Sequence, residues 1–146
     1  MSTGTSTGAS ALTADDLEFL GRPLHGFLTV AGGPQPPQPR PVWFEATAEG
    51  AVQFFTEPGA LKVRRLRRDP RASLVVAAPV GERERWVSVA GRVAFEDDGA
   101  HELCSRLAAR YWDLDDPTRA HQLSEILAGD LLRAVLHPEA VHRFAY

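Results

Sequence analysis

Apolar and polar positions change their period several times along this chain, and each change marks an element. "LTADDLEFL" opens with Thr13 three residues before Asp16, the pattern of a capping box, so a short helix is expected that "GRP" ends. The pattern then shifts to apolar, aromatic and β-branched runs. "GFLTVA" at 26–31, "PVWFEAT" at 41–47 and "AVQFFTE" at 51–57 read as strands, the last two joined into a hairpin by "AEG". "GGPQPPQPR" between the first two is a loop stiffened by its prolines. Leu61, Val63 and Leu66 give 58–68 one apolar side and predict a short helix, with Pro58 near its first turn and Asp69-Pro70 ending it.

"ASLVVAAP" at 72–79 reads as a buried strand and "RWVSVAGRVAFED" at 85–97 as a long one with Gly91 at a bulge or bend. "HELCSRLAARYW" predicts a helix with Leu103, Leu107 and Tyr111 on one side, and Asp116-Pro117 caps a second helix over "TRAHQLSEIL". "LLRAVLHPEAVHRFAY" predicts two extended pieces around His137-Pro138. Six or seven strands with helices inserted singly do not alternate as a doubly wound sheet requires. The expected fold class is mainly β, a mostly antiparallel barrel with a few helices.

Length and charge narrow the reading further. The 146 residues suit one domain with one core. We expect a disordered tail over 1–11 and a single domain over 12–146. The net charge of -3 argues against chain-wide attraction to nucleic acid. One cysteine, Cys104, excludes an internal disulfide, and no apolar run approaches the ~20 residues of a membrane helix. "MSTGTSTGAS" lacks the regions of a signal peptide, so a cytoplasmic protein is expected.

The chain has no Walker loop, dinucleotide glycine fingerprint or G-x-S-x-G elbow. Its five histidines lack metal-ligand spacing, so no metal is expected, and the pairs Asp15-Asp16, Asp97-Asp98 and Asp115-Asp116 sit where caps and turns want them. No catalytic side chain is identified, and a bound cofactor is expected to carry the chemistry. Against that background, five basic side chains lie within Lys62 to Arg68, and Lys62 is the only lysine beside fifteen arginines. An ammonium is a compact point charge that fits where a guanidinium does not. Placed at the start of a helix after Thr56, it can complete a cradle for a phosphate.

"PVWF" at 41–44, "FFTEPGALKVRRLRRDPRASLVV" at 54–76 and "WVSVAGRVAF" at 86–95 resemble the pyridoxamine 5′-phosphate oxidase-like proteins of the flavin and deazaflavin oxidoreductase superfamily. The resemblance runs from about Leu12 to Phe144 and is nearest to the actinobacterial branch that uses coenzyme F420. It implies a split β-barrel of the FMN-binding type that forms a homodimer, with the cofactor in a groove between protomers. It sets Pro41, Val42, Trp43 and Phe44 against the cofactor ring, and Thr56, Lys62 and Val63 at the phosphate end with Arg64 or Arg65 nearby. Trp86, Arg92, Tyr111 and Trp112 are further candidates, and a proton could come from Tyr111, His25 or solvent. The implied activity is hydride transfer between reduced F420 and a small unsaturated organic substrate. The alternatives are an FMN-dependent reductase or oxidase of the same fold, or a non-catalytic F420-, FMN- or haem-binding protein. "GGPQPPQPR" departs from the family's polar turn, and no C-terminal substrate segment of the true oxidases follows "HRFAY".

Overall fold

The computed structural model describes residues 4–9 and 11–146. In chain order the elements are β1 (Thr5–Ala9), α1 (Ala14–Leu20), β2 (Gly26–Val30), β3 (Arg40–Val42), β4 (Glu45–Ala46), β5 (Val52–Thr56), α2 (Leu61–Arg68), β6 (Arg71–Ala77), β7 (Arg85–Glu96), α3 (Ala100–Tyr111), α4 (Pro117–Leu127) and β8 (Leu132–Ala145). The strands form one antiparallel sheet in the order β3-β2-β6-β7-β8-β5-β4, with β1 on the second half of β8. The two ends of that path, β3 and β4, are consecutive in the chain with only Trp43 and Phe44 between them. Three Cα steps reach about 11 Å at most. The sheet must therefore curl until its edges meet, which makes it a barrel.

Alternation fills the inside. On β6 the buried positions are Ala72, Leu74 and Val76, and on β7 they include Val87, Val89 and Val93, with Val89 opposite the buried Val141 and Val93 opposite the buried Leu136 of β8. Val52 and Phe54 of β5, Phe44, Val42 and Leu28 complete the cluster, with Phe19 and Leu20 of α1 and Leu66 of α2 packed into it. The capping box of α1 forms as the sequence implies: Asp16 N donates to Thr13 Oγ1 and Thr13 N donates to Asp16 Oδ2. Asp116 likewise caps α4 by accepting from Thr118 N at 2.9 Å.

Four expectations differ from the structure. The strand read over 41–47 is two short strands interrupted at Trp43-Phe44, because the chain must leave one sheet edge for the other there. α2 begins at Leu61, after a turn closed by Ala60 N donating to Glu57 O, so Pro58 lies ahead of the helix. The C-terminal run is one strand: Gly91 pairs with Pro138 and Ala90 with Ala140, so Glu139 is the extra residue of a β8 bulge and the strand continues through Pro138. Gly91 is required at that bulge: a side chain there would run into the His137 carbonyl. Within the tail expected over 1–11, Thr5–Ala9 pair with Ala145–Val141, where β8 has a free edge once β5 has ended. Residues 1–3 and 10 lie outside the described residues.

Candidate functional site

α2 carries Lys62, Arg64, Arg65, Arg67 and Arg68 and no acidic residue. The positive end of a helix dipole is offset in α1 by Asp15 and Asp16, in α3 by Glu102 and in α4 by the Asp116 cap. At α2 the N-cap is Ala60, which has no side-chain acceptor to offer. Lys62 adds a cation to this already positive end. Its Nζ sits 5.8 Å from the Phe54 ring centroid, and burial pushes its ammonium below the ordinary lysine value with no carboxylate to restore it. Thr56, at the end of β5, is a buried polar residue at 8 % exposure. It lines a 310 Å³ cavity with Phe55, Glu57, Ala60, Ile126 and Leu131 at the entrance to α2. A half-buried ammonium and an uncapped helix start are the kind of groups that attract an anion; Lys62 is not among the residues that line this cavity, and Glu57 is.

The next turn of α2 packs against the β2–β3 loop. A side chain at Gly32 would collide with the Arg65 carbonyl, and Gly33 lies against the Arg65 guanidinium. The basic helix therefore stands at the end of β2 where β3 begins. Register fixes the outer face of these two strands: Gly26 opposes Val42 with both buried, so His25, Phe27, Pro41 and Trp43 point outward. That face continues through Thr29, Ser73 and Ala90, which line a 360 Å³ groove with Pro37 and Arg71. At its far end stands a stack of rings. Trp43 lies parallel to Tyr111 at 5.2 Å and 2°, Trp112 meets Trp43 edge-on at 4.8 Å, and His25 is 5.7 Å from Tyr111. Trp43 also meets the Phe55 ring edge-on, 6.4 Å between centroids, so the ring stack stands beside the cavity that Phe55 and Thr56 line.

The structure brings some predicted residues together and separates others. Thr56 and Ala60 at the α2 start line one cavity, while Lys62 in the helix's first turn lies over the Phe54 ring; Pro41 and Trp43 lie on the outer face; Val42, Phe44 and Val63 are buried in packing, so only their backbones could meet a ligand. Arg64 donates to Gly59 O at 3.2 Å, and Arg65 covers the glycine pair. Arg92 pairs with Glu139 at 3.5 Å. Trp86, six positions earlier on the same strand and so about 20 Å away, stacks on Phe144 at 6.0 Å beside Tyr146. Tyr111 donates its hydroxyl proton to Leu24 O, and burial pushes its pKa up. Cys104 is buried and its thiol is pushed up by burial, consistent with an inert core residue.

Sequence reasoning missed Arg110. It sits in the last turn of α3 and donates to Phe44 O at 3.0 Å and to Leu20 O and Arg22 O at 2.6 Å each, joining three segments distant in sequence. Its position beside Tyr111 in "AARYW" gives no local signal of long-range carbonyl partners. Among the described residues no group of three or more His, Cys, Asp or Glu could hold a metal ion, and no helix is long and apolar enough to cross a membrane.

The family model described as pyridoxamine 5′-phosphate oxidase matches residues 12–141. Among solved structures, the chain is similar to an F420 reductase at 24 % identity with a TM-score of 0.66, covering 85 % of this chain and 93 % of that one. A conserved hypothetical protein from Mycobacterium tuberculosis is 20 % identical at a TM-score of 0.67, covering 91 % of this chain and 85 % of that one. A FAD-binding protein from Mesorhizobium loti is 18 % identical at 0.60, covering 99 % of each. At these identities the structural likenesses speak for the split-barrel fold. No curated protein matches the chain.

Proposed function

The chain belongs to the pyridoxamine 5′-phosphate oxidase family, and from that premise we propose that it is an oxidoreductase that binds coenzyme F420 and passes a hydride between it and a small unsaturated organic substrate. The observation that carries this reading is Lys62: a half-buried ammonium in the first turn of an uncapped helix that has basic but no acidic residues, set over the Phe54 ring and with no anionic partner among the described residues. Thr56, Lys62 and the first amides of α2 would hold the cofactor's phosphate, with Arg64 and Arg65 adding positive field. The outer face at Pro41–Trp43 would take the ring. Trp86 and Arg92 lie farther along the sheet face and would act only from a partner protomer.

Bound F420 supplies the hydride chemistry; the protein's contribution is alignment and exclusion of water. Phe27 and Val75 are exposed at 45 % and 38 % on the same outer face as Pro41. An apolar sheet face of this kind is suited to a second copy of the chain, which would close the groove and make the protein a homodimer. Tyr111 has its proton held by Leu24 O, so a proton required by the product would come from the exposed His25 or from solvent.

The test is a fluorescence titration with F420 and, separately, FMN, on the wild-type chain and Lys62→Ala. Preference for F420, weakened at least tenfold in the variant, supports the proposal; preference for FMN moves the protein to flavin chemistry, and binding of neither overturns both readings. The lysine also sets a sign for pH. Its free-state pKa is lowered by burial, and an arriving anion raises it. Affinity is therefore full below the free-state pKa and falls as pH rises through it. Phe27→Glu tests the dimer by sedimentation: it should yield monomers, and an unchanged sedimentation coefficient would remove this face as the interface.

A further inference from the structure

We propose that Arg110 is a positioning residue for the strand that carries the cofactor ring, an inference that rests on the function proposed above. Trp43 and Phe44 lie between β3 and β4 and belong to neither strand, so no ladder fixes their backbone. Their carbonyls need partners from elsewhere. Arg110 supplies one, donating from one terminal nitrogen to Phe44 O at 3.0 Å. Its other terminal nitrogen donates to Leu20 O, a last-turn carbonyl of α1, and to Arg22 O, both at 2.6 Å.

A cation suits the negative end of α1, where helix carbonyls lack intrahelical partners. The guanidinium also lies over the Phe44 ring, 5.5 Å from its centroid. The next residue extends the same clamp. Tyr111 donates to Leu24 O at 2.6 Å and stacks flat on Trp43. The last turn of α3 thus fixes the bend between the barrel's two edges, on both its carbonyl side and its ring side. A planar fork is required for this. Lysine would bring a charge but no planar fork to hold three carbonyls of two segments in fixed directions.

Two comparisons test the proposal. Arg110→Lys retains the charge and most of the stem. In cofactor-free protein its amide exchange should rise in peptides covering 41–46 and stay unchanged in 85–96. Its F420 affinity should fall at least tenfold, and the visible circular dichroism of the bound ring should change. Arg143→Met serves as the control, since it removes a distant ion pair with Asp16. It should lower thermal stability yet leave affinity and the bound-ring spectrum as in wild type. Wild-type exchange at 41–46 in Arg110→Lys, or wild-type affinity together with an unchanged bound-ring spectrum, overturns the positioning role while leaving the function intact. Failure of the wild-type chain to bind F420 or FMN overturns the function itself, and the positioning role with it.

Discussion

The barrel is held in two different ways on its two sides. Along β7 and β8 the backbone carries the structure: Arg85–Glu96 pairs with Ala145–Arg133 through one bulge, and the core side chains beneath are mostly valines of similar size. At the bend from β3 to β4 the backbone carries little, and individual large side chains replace the ladder: Phe44 inside, Trp43 and Tyr111 outside, Arg110 on the carbonyls. A ladder distributes stability over many similar contacts. A bend held by a few side chains concentrates it, and leaves Trp43 and Phe44 outside any strand ladder.

The comparison can be broken by truncating one buried side chain on each side. Phe44→Ala removes a fully buried ring at the bend and should cost about 3–5 kcal/mol. Val89→Ala in the wall should cost about 2 kcal/mol, from two methyl groups at ~0.8 kcal/mol each plus a small cavity. Urea unfolding of both variants checks this. Equal losses would mean that the bend is no more dependent on single residues than the wall is.

A second effect comes from the place where α1 is tied to β8. Asp16 is 1 % exposed and receives Arg143 through two nitrogens, one at 2.9 Å and one at 2.6 Å. Burial pushes the Asp16 carboxyl up, but the hydrogen bonds from Arg143 and Thr13, with the Arg143 charge, outweigh it and leave the carboxyl below the usual range. Because the folded-state pKa is depressed, its stabilisation is present above the unfolded-state value and lost as pH falls through the folded-state value. Arg143→Met leaves a buried carboxylate unpaired and should cost about 3 kcal/mol near neutrality. The gap to wild type should narrow as pH falls, because the stranded carboxyl of the variant protonates first. Denaturation at neutral and acid pH measures it, and a gap that widens in acid would contradict the assignment.

What was legible in the sequence follows the same division. Regular alternation gave the wall, including the bulge at Gly91, and the caps of α1 and α4 were visible as Thr13 with Asp16 and as Asp116-Pro117. The basic helix and its lysine were visible because charge density is local in sequence. The bend was not. "PVWFEAT" has the composition of one strand, and only closure of the barrel, a property of the whole sheet, breaks it at Trp43. Arg110 was invisible for the related reason that its carbonyl partners, Leu20, Arg22 and Phe44, are chosen by tertiary packing and have no side-chain signature. The pairing of β1 with β8 likewise depends on a free edge that no residue of 5–9 announces.

The smallest effect sharpens the comparison from the solvent side of the wall. Arg71, at the start of β6, donates to Asp69 at 3.0 Å and 2.7 Å, and these hydrogen bonds, followed by one from the Arg71 backbone, hold the Asp69 carboxyl at about 2. The geometry is close to that of the Asp16–Arg143 pair, but Arg71 is exposed, and water and salt screen what burial would amplify. Arg71→Ala should therefore leave the melting temperature unchanged. An NMR pH titration should nevertheless find Asp69 moved partway back towards the ordinary aspartate range. The return is partial because the backbone N–H of residue 71 still donates to Asp69 Oδ1 in the alanine variant. A measurable loss of stability would show that the outer end of the wall depends on its side chains too, and the contrast between ladder and bend would then fail at its ladder side.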